Sequence, residues 1–230
     1  MLLFTGDIHG GIDIHKLRNK NVPHYNFLSR NDFVIICGDF GLIWNGSAEE
    51  KYWLKWINEK PYTTVFCDGN HENFDKINQY PIITWNGGNV HQIADNVFHL
   101  MRGQAFNLDG RSIFVMGGAS SHDKEYRQEG LNWWKEELPS EDEYRIAKET
   151  LKKNGYSFDF IVTHCAPTNI EKEIMGYRGK TVSGDRLTDF LQDIEPNLSY
   201  RRWFCGHYHR DYYSHINPAF EVLYDRITVY

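Results

Sequence analysis

The sequence contains no closely spaced cysteines and no apolar run long enough to cross a membrane. Its four cysteines lie far apart and form no Cys-x-x-Cys pair, which argues against a structural zinc knuckle. Three of them end apolar runs, where cysteine behaves as a small buried hydrophobe, so we expect reduced thiols and a cytoplasmic location. No charged leader precedes the first apolar residues, and we expect neither export nor a membrane partner.

The chain also lacks an excess of basic residues. Lys and Arg number 25 against 31 Asp and Glu, and the net charge of -6 provides no long-range attraction for nucleic acid or for an anionic membrane. Any binding of a phosphate group must therefore depend on a local arrangement of side chains. With 230 residues, 41% of them hydrophobic, the chain can bury a sizeable core, and we expect residues 1–230 to form a single domain.

Five apolar runs, predicted to be buried strands, end directly before residues of types that bind metals. The runs span residues 2–5, 33–37, 63–67, 158–163 and 203–205. The polar residues that follow them are Asp7 and His9, Asp39, Asn70 and His71, His164, and finally His207 and His209. Because loops beyond the carboxyl ends of strands in α/β sheets converge on one crevice, we expect these side chains to meet there.

Helical segments are predicted between and after these strands. Ser47 and Ser140 each begin a capping-box pattern, with Glu50 and Glu143 three residues later. A further helix is predicted over residues 13–28, between the first two strands. The alternation of strands and helices indicates an α/β fold.

The motif Gly69-Asn70-His71-Glu72 carries the clearest chemical information. The carbonyl oxygen of Asn70 suits a hard divalent cation, and His71 can give a proton to a departing oxygen near neutral pH. Taken alone, the motif is equally typical of a turn after a strand with a histidine on the surface. Together with the other strand ends, it favours metal-assisted hydrolysis.

Five short motifs occur in the order Asp-x-His, Gly-Asp, Gly-Asn-His-Glu, a lone His and Gly-His-x-His, between Asp7 and His209. In this set and order the sequence resembles the calcineurin-like metallophosphoesterase superfamily, and within it the small bacterial or phage-type members. The resemblance implies an α/β fold, a four-layer α/β/β/α sandwich of two mixed β-sheets flanked by helices. It also implies a two-metal site at the edge of that sandwich.

The resemblance implies a role for each residue of the motifs. The first metal ion would be bound by Asp7, His9, Asp39 and His209. The second would be bound by Asp39, Asn70, His164 and His207, with Asp39 bridging the pair, and a metal-activated hydroxide would attack the phosphate ester. His71 matches the catalytic histidine, which is not a ligand. Carboxylate, amide and imidazole ligands without thiolate favour manganese, with iron or zinc as alternatives.

The resemblance implies a hydrolase of phosphate esters but leaves the substrate open. We expect a phosphodiesterase or a phosphatase that acts on a small molecule, because the metal centre serves either reaction. A nuclease is an alternative, although the acidic composition does not indicate affinity for DNA or RNA. A phosphoprotein phosphatase is another, but the residues after Gly38-Asp39 lack the acid and arginine of those enzymes. A non-catalytic binding module is a remote alternative, because its motifs would be expected to be broken.

Two residues outside the motifs are candidates for substrate binding. Arg127 follows the Gly117-Gly118 loop and could bind phosphate, although a solvated surface arginine is the simpler interpretation. His122, in the same loop, either contacts the site or is an ordinary exposed histidine.

Overall fold

The computed structural model describes residues 1–176, 179 and 183–230, and it places two β-sheets face to face with helices on their outer sides. The strands are β1 (Leu2–Thr5), β2 (Phe33–Cys37), β3 (Thr63–Cys67), β4 (Ile82–Trp85), β5 (Gly88–Ala94), β6 (Val97–Leu100), β7 (Gln104–Leu108), β8 (Arg111–Met116), β9 (Ser157–Thr163), β10 (Ser199–Cys205), β11 (Tyr212–Tyr213), β12 (Phe220–Val222) and β13 (Thr228–Val229). The helices are α1 (Ala48–Asn58), α2 (Phe74–Ile77), α3 (Glu141–Lys153), α4 (Thr168–Gly176) and α5 (Arg186–Ile194).

Both sheets contain parallel and antiparallel neighbours. Within the described residues the first sheet has seven strands in the order β13-β1-β2-β3-β6-β5-β4, of which β1, β2, β3 and β6 are parallel. The second, counted over the same residues, has six in the order β11-β12-β10-β9-β8-β7, of which β12, β10, β9 and β8 are parallel. The predicted fold, two mixed sheets flanked by helices, is therefore confirmed.

Aromatic side chains fill the space between the two sheets. Phe4 of β1 stacks on Phe204 of β10 with ring centroids 4.2 Å apart, and Phe160 of β9 lies 5.1 Å from Phe4. All three side chains are buried. The central strands β1, β2 and β3 are buried along their whole length because the inter-sheet core covers one of their faces and the outer layers cover the other.

Helices and loops cover the outer face of each sheet. On the first sheet, Ile57 of α1 packs in one cluster with Leu3 and Phe66. On the second sheet, Tyr144 of α3 and Leu191 of α5 belong to another cluster. The layers therefore follow the order helix, sheet, sheet, helix. None of the described helices is long and apolar enough to cross a membrane.

The two predicted capping boxes form to different extents. At the start of α3, Ser140 Oγ accepts a hydrogen bond from the Glu143 amide at 3.3 Å, and the Glu143 carboxylate accepts one from the Ser140 amide at 2.7 Å. At the start of α1, Ser47 Oγ accepts from the Glu50 amide at 3.2 Å. The Glu50 carboxylate instead accepts from the amides of residues 44–46, so it fixes the preceding loop rather than completing the box.

The helix predicted over residues 13–28 is wrong. The structure has two 3-10 turns there, of four and three residues. The reason is tertiary: the buried amine of Lys16 donates to the carbonyl oxygen of Asp7 at 2.6 Å and also to that of Tyr224. These contacts tie the segment to the edge of the first sheet, and they outweigh its weak helical pattern.

Truncating the ring of Phe4 tests the packing between the sheets. We expect Phe4→Ala to lower the free energy of unfolding by about 3–5 kcal/mol, because it leaves a cavity among buried rings. Phe27→Ala is the matched control, since Phe27 is 85% exposed, and it should change stability by less than about 0.5 kcal/mol. Guanidinium chloride unfolding followed by circular dichroism measures both. Equal effects of the two substitutions would contradict a core built through Phe4.

Candidate metal centre

The predicted ligand residues lie at one edge of the sandwich, where strands of both sheets end. Asp7 and Asp39 follow β1 and β2 of the first sheet, whereas His164 and His207 follow β9 and β10 of the second. Nδ1 of His164 donates to the carbonyl oxygen of Cys37 at 2.7 Å. The amide of His207 donates to the Asp7 carboxylate at 3.0 Å. These contacts between the sheets bring ligand types that are distant in sequence into one crevice.

The first predicted ligand group is assembled. One nitrogen or oxygen atom from each of Asp7, His9, Asp39 and His209 lies within 4.8 Å of the others. Nε2 of His9 is 3.3 Å from Oδ2 of Asp39, and Nε2 of His209 is 3.4 Å from Oδ2 of Asp7. Oδ2 of Asp39 is buried and has no hydrogen-bond partner among the described residues. Because an unpaired buried carboxylate oxygen is costly, this group fits a divalent cation.

The second predicted group shares Asp39 with the first. Nε2 of His164 lies 3.3 Å from Oδ1 of Asp39 and 3.2 Å from Oδ1 of Asn70. The ring of His207 is inclined at 68° to that of His164, at a centroid distance of 5.0 Å. The two carboxylate oxygens of Asp39 thus face different histidines, one in each group. This is the arrangement expected of a side chain between two cations.

Hydrogen bonds to the outer nitrogens orient two of the imidazoles. Nδ1 of His9 is 2.8 Å from Oδ2 of Asp13, and Nδ1 of His164 contacts the Cys37 carbonyl, which can only accept. Nδ1 of each ring therefore carries a proton, and Nε2 is the nitrogen that a cation would bind once it is deprotonated. The sequence analysis missed Asp13, although its position four residues after His9 is a short-range clue.

Asn70 is oriented by a second chain of contacts that the sequence analysis also missed. Its amide nitrogen donates to Ser121 Oγ at 3.1 Å, so Oδ1 is directed into the site. Ser121 in turn donates through its hydroxyl and its amide to the two carboxylate oxygens of Glu137, at 2.9 and 3.0 Å. All three residues are buried. No sequence motif links them, because they meet only through the tertiary fold.

Glu72, the last residue of the Gly-Asn-His-Glu motif, holds the loop that carries Asp39. Its carboxylate accepts from the amides of Phe40 at 2.7 Å and Gly41 at 3.1 Å. Burial, reinforced by the nearby Asp39, raises the pKa of Glu72 to about 8, although the two amides oppose the shift. The amide of His71 donates directly to Oδ1 of Asp39 at 2.7 Å. The motif therefore positions the shared carboxylate as well as supplying Asn70.

Two glycines let the backbone approach the carboxylates closely. A Cβ on Gly69 would lie 2.1 Å from Oδ1 of Asp39, and one on Gly206 would lie 2.1 Å from Oδ1 of Asp7. Both separations are far below van der Waals contact. The glycines in Gly-Asn-His-Glu and Gly-His-x-His are therefore required by the geometry of the site.

Several residues of the site have strained backbones. The φ angles of His9, Asp39, His207 and His209 are +41°, +50°, +69° and +48°. Left-handed conformations of non-glycine residues each cost about 1–3 kcal/mol and persist only where surrounding contacts impose them. Here the contacts that impose them are those that direct the side chains towards one another.

The residues predicted to act on the substrate border this centre. The ring of His71 is 5.5 Å from that of His9, and burial, helped by Arg127 and opposed by Asp39, lowers its pKa. The side chain of Arg127 is 15% exposed, and its guanidinium contacts the Asp123 carboxylate at 2.7 Å. His122 is exposed, with its ring 5.8 Å from that of His207. Roles for these residues in substrate binding or catalysis stay predictions.

Comparison with known proteins agrees with this geometry. The sequence model of the calcineurin-like phosphoesterase family matches residues 1–211. The chain belongs to this family. It is also similar to the lariat debranching enzyme of Schizosaccharomyces pombe, with 26% identity over 213 aligned positions; the match covers 86% of this chain. The match spans only 42% of the length of that enzyme. The predicted family is confirmed, and this family uses divalent metal ions.

Removing the partner of His9 tests the orientation of the ligands. We expect Asp13→Ala to weaken binding of Mn²⁺ by about 10–100-fold, because His9 loses the contact that fixes its tautomer and ring angle. Asp142→Ala is the control, since the Asp142 side chain is 83% exposed on α3. Isothermal titration calorimetry measures both affinities. An unchanged affinity in Asp13→Ala would show that His9 is not a ligand or needs no such support.

Metal binding should become tighter as the pH rises. In the metal-free protein, burial opposes protonation of His9 and His164, but Asp39 and Asp7 together with other hydrogen-bond partners outweigh it and raise the pKa of His9 to about 9 and that of His164 to about 10. Below these values the imidazoles hold protons that a cation must displace, so binding releases protons and weakens as the pH falls. Calorimetry in buffers of different ionisation enthalpy counts the protons released. Proton uptake, or none exchanged, at pH 7 would contradict the assignment of these histidines as ligands.

Proposed function

We propose that this chain hydrolyses a phosphate ester of a small molecule at a dinuclear metal centre. The proposed ligands are Asp7, His9, Asp39, Asn70, His164, His207 and His209. The observation that carries the proposal is the position of Asp39, whose two carboxylate oxygens lie 3.3 Å from histidines of two different groups. A single buried carboxylate shared in this way is typical of a pair of cations.

The composition of the ligand set supports a hard or borderline metal. Its donors are carboxylate, amide and imidazole, and all four cysteines are free and buried. We therefore propose two Mn²⁺ ions, with iron or zinc as alternatives. When bound, the ions supply positive charge that polarises the phosphoryl group and acidifies a water molecule for attack. The buried cysteines also support a reducing, cytoplasmic location.

His71 is the proposed catalytic residue. Its amide is fixed to Oδ1 of Asp39 at 2.7 Å, so the imidazole is held beside the shared carboxylate without being required as a ligand. We propose that the ring donates a proton to the departing ester oxygen. The lowered pKa of His71, which burial causes first, makes the protonated ring a stronger acid, although it also lowers the fraction of rings that carry the proton at neutral pH.

The substrate class is proposed from charge and from the motifs. The net charge of -6 favours a small phosphodiester or phosphomonoester over an extended polyanion. A nuclease is the second candidate, because the chain is similar to an enzyme named for lariat debranching. A phosphoprotein phosphatase is less well supported, since Phe40-Gly41-Leu42 stands where those enzymes have an acid and an arginine.

The shared core between the sheets supports one domain over residues 1–230.

Hydrolysis of a matched pair of aryl phosphates tests the proposal. We expect the Mn²⁺-loaded protein to cleave a generic aryl phosphate diester or the corresponding monoester, and His71→Ala to lower kcat by about 10²–10⁴-fold. His15→Ala is the control, because His15 is exposed and lies outside the motifs. Calorimetry should show that Mn²⁺ binding is retained in His71→Ala. Removal of metal with a chelator should abolish hydrolysis.

The pattern of activities distinguishes the candidates. Faster cleavage of the diester supports a phosphodiesterase, whereas faster cleavage of the monoester supports a phosphatase. Salt-sensitive cleavage of single-stranded or branched RNA in preference to both would favour the nuclease. Full activity in His71→Ala, or hydrolysis that persists without metal, would refute the proposed mechanism.

A further inference from the structure

A polar cavity of about 270 Å³ lies beside the candidate metal centre, between the loop after β8 and helices α4 and α5. His207, a proposed ligand of the second cation, forms part of its wall, as does the nearby His122. The other described residues that line it are polar or acidic, except Ala119, Cys165 and Gly184. The volume is slightly below the roughly 300–1,000 Å³ of a complete small-molecule site, so the cavity suits one substituent of a substrate bound at the metal centre.

Glu171 is the buried acid of this cavity. It lies on α4, lines the cavity and is 6% exposed. The packing of α4 on α5 holds it there, and the hydroxyl of Thr168 is 3.1 Å from that of Thr188. Among the described residues, none donates a hydrogen bond to the Glu171 carboxylate, and no basic side chain forms an ion pair with it. Buried carboxylates normally have such partners, so a donor from outside the chain fits here.

Two more acids increase the negative charge around Glu171. Asp185 lines the cavity and caps α5, where one of its oxygens accepts from two backbone amides at 2.8 and 2.9 Å. Asp189, one turn further along α5, accepts a hydrogen bond from Thr168 at 2.6 Å. Burial first, and then Asp185 and Asp189, raise the pKa of Glu171 to about 7, against the effect of the exposed Lys172. The cavity therefore lies in a negative potential that a bound cation would offset.

An organic cation fits these acids better than a metal ion. In the described part of the chain, one group of acidic and imidazole side chains is compact enough to hold an ion by itself, and it is the first ligand group of the metal centre. Glu171 and Asp185 do not belong to it. An ammonium group has several N–H donors that point in different directions, so it can bond to carboxylates that are further apart. The described lining residues include no Phe, Tyr or Trp, whereas quaternary ammonium groups bind in aromatic cages, so a primary ammonium group is favoured.

We infer that this cavity binds a primary ammonium group on the organic part of the substrate, through the carboxylates of Glu171 and Asp185. The inference rests on the proposed hydrolysis of a phosphate ester, and it narrows the substrate to an ester that carries an amine. The two ends of such a substrate have opposite charges, which match the proposed metal centre and the acids of the cavity. The same acids repel a second phosphate group, so they disfavour a nucleic acid that continues through the cavity.

The first test compares phosphonates, which cannot be hydrolysed, by isothermal titration calorimetry of the Mn²⁺-loaded protein. The pairs are 2-aminoethylphosphonate with n-propylphosphonate and 3-aminopropylphosphonate with n-butylphosphonate, so that a methyl group of similar size replaces each amine. We expect at least one amine to bind about 10–100-fold more tightly than its partner, the ratio expected for a hydrogen bond to a charged group. The chain length with the larger ratio reports how far the acids lie from the bound phosphonate.

The second test determines whether Glu171 causes the preference for the amine. Glu171→Gln keeps the shape of the side chain but removes its charge, and it should reduce the ratio to below about threefold. Asp185→Asn, which retains an oxygen for the cap of α5, should reduce the ratio in part and guards against a folding defect in the first variant. Asp193→Asn is the control, because Asp193 is exposed on α5 and does not line the cavity, and it should leave the ratio unchanged.

The outcomes separate this inference from the proposed function. Equal affinities within both pairs, or a ratio that Glu171→Gln leaves unchanged, would overturn the inference. In that case Mn²⁺-dependent binding of the alkyl phosphonates would still support the proposed metal centre. Failure of every phosphonate to bind in a Mn²⁺-dependent manner would refute the proposed centre, and the inference with it.

Discussion

The buried carboxylate of Asp39 is the group on which the arrangement of the site depends. It accepts a hydrogen bond from the amide of His71. One of its oxygens faces His9, which follows β1, and the other faces His164, which follows β9 of the opposite sheet. Burial alone would favour its neutral form, but His164 and the other histidines outweigh burial and hold the pKa of Asp39 well below its usual value. The fixed negative charge of Asp39, at the edge where strands of both sheets end, therefore stabilises positive or metal-binding groups around it. Glu72, through the amides of residues 40 and 41, keeps that charge in place.

The residues at the edge of the sandwich were predicted from the sequence more completely than the contacts that orient them. Each ligand follows an apolar run within a few residues, and this local pattern determines both the strand and the position of the side chain at its end. The contacts that orient the ligands are different in kind. Ser121 and Glu137 meet Asn70 only after the two sheets have packed. The helix predicted over residues 13–28 was wrong because Lys16 donates hydrogen bonds to the carbonyl oxygens of Asp7 and of the distant Tyr224. Pairings of this kind leave no periodicity in the sequence.

The residues proposed to bind the substrate lie on less constrained elements than the proposed metal ligands. The ligands follow buried strands, whereas Arg127 and His122 belong to a loop with exposed residues such as Tyr126 and Leu131. Arg127 is held by Asp123, so it can bind a phosphate only by sharing or leaving that partner. Groups at the ends of rigid strands determine the reaction, whereas surface loops determine which substrate binds. This division explains why the family is evident from the motifs while the choice between a small ester and a nucleic acid is not.

The separation in sequence between ligands has a consequence for biosynthesis. Asp7 and His207, which contact each other, are 200 residues apart, so one wall of the crevice is synthesised well before the other. On the ribosome, the Asp7 carboxylate is synthesised long before His207 and His209, which complete the proposed ligand set. Binding of a cation by the complete set of proposed ligands would therefore have to wait until β10 has docked beside β9. Closing so long a loop carries an entropic penalty. Because the proposed ligands come from both sheets, a bound ion would indicate that both sheets, rather than one of them, have folded.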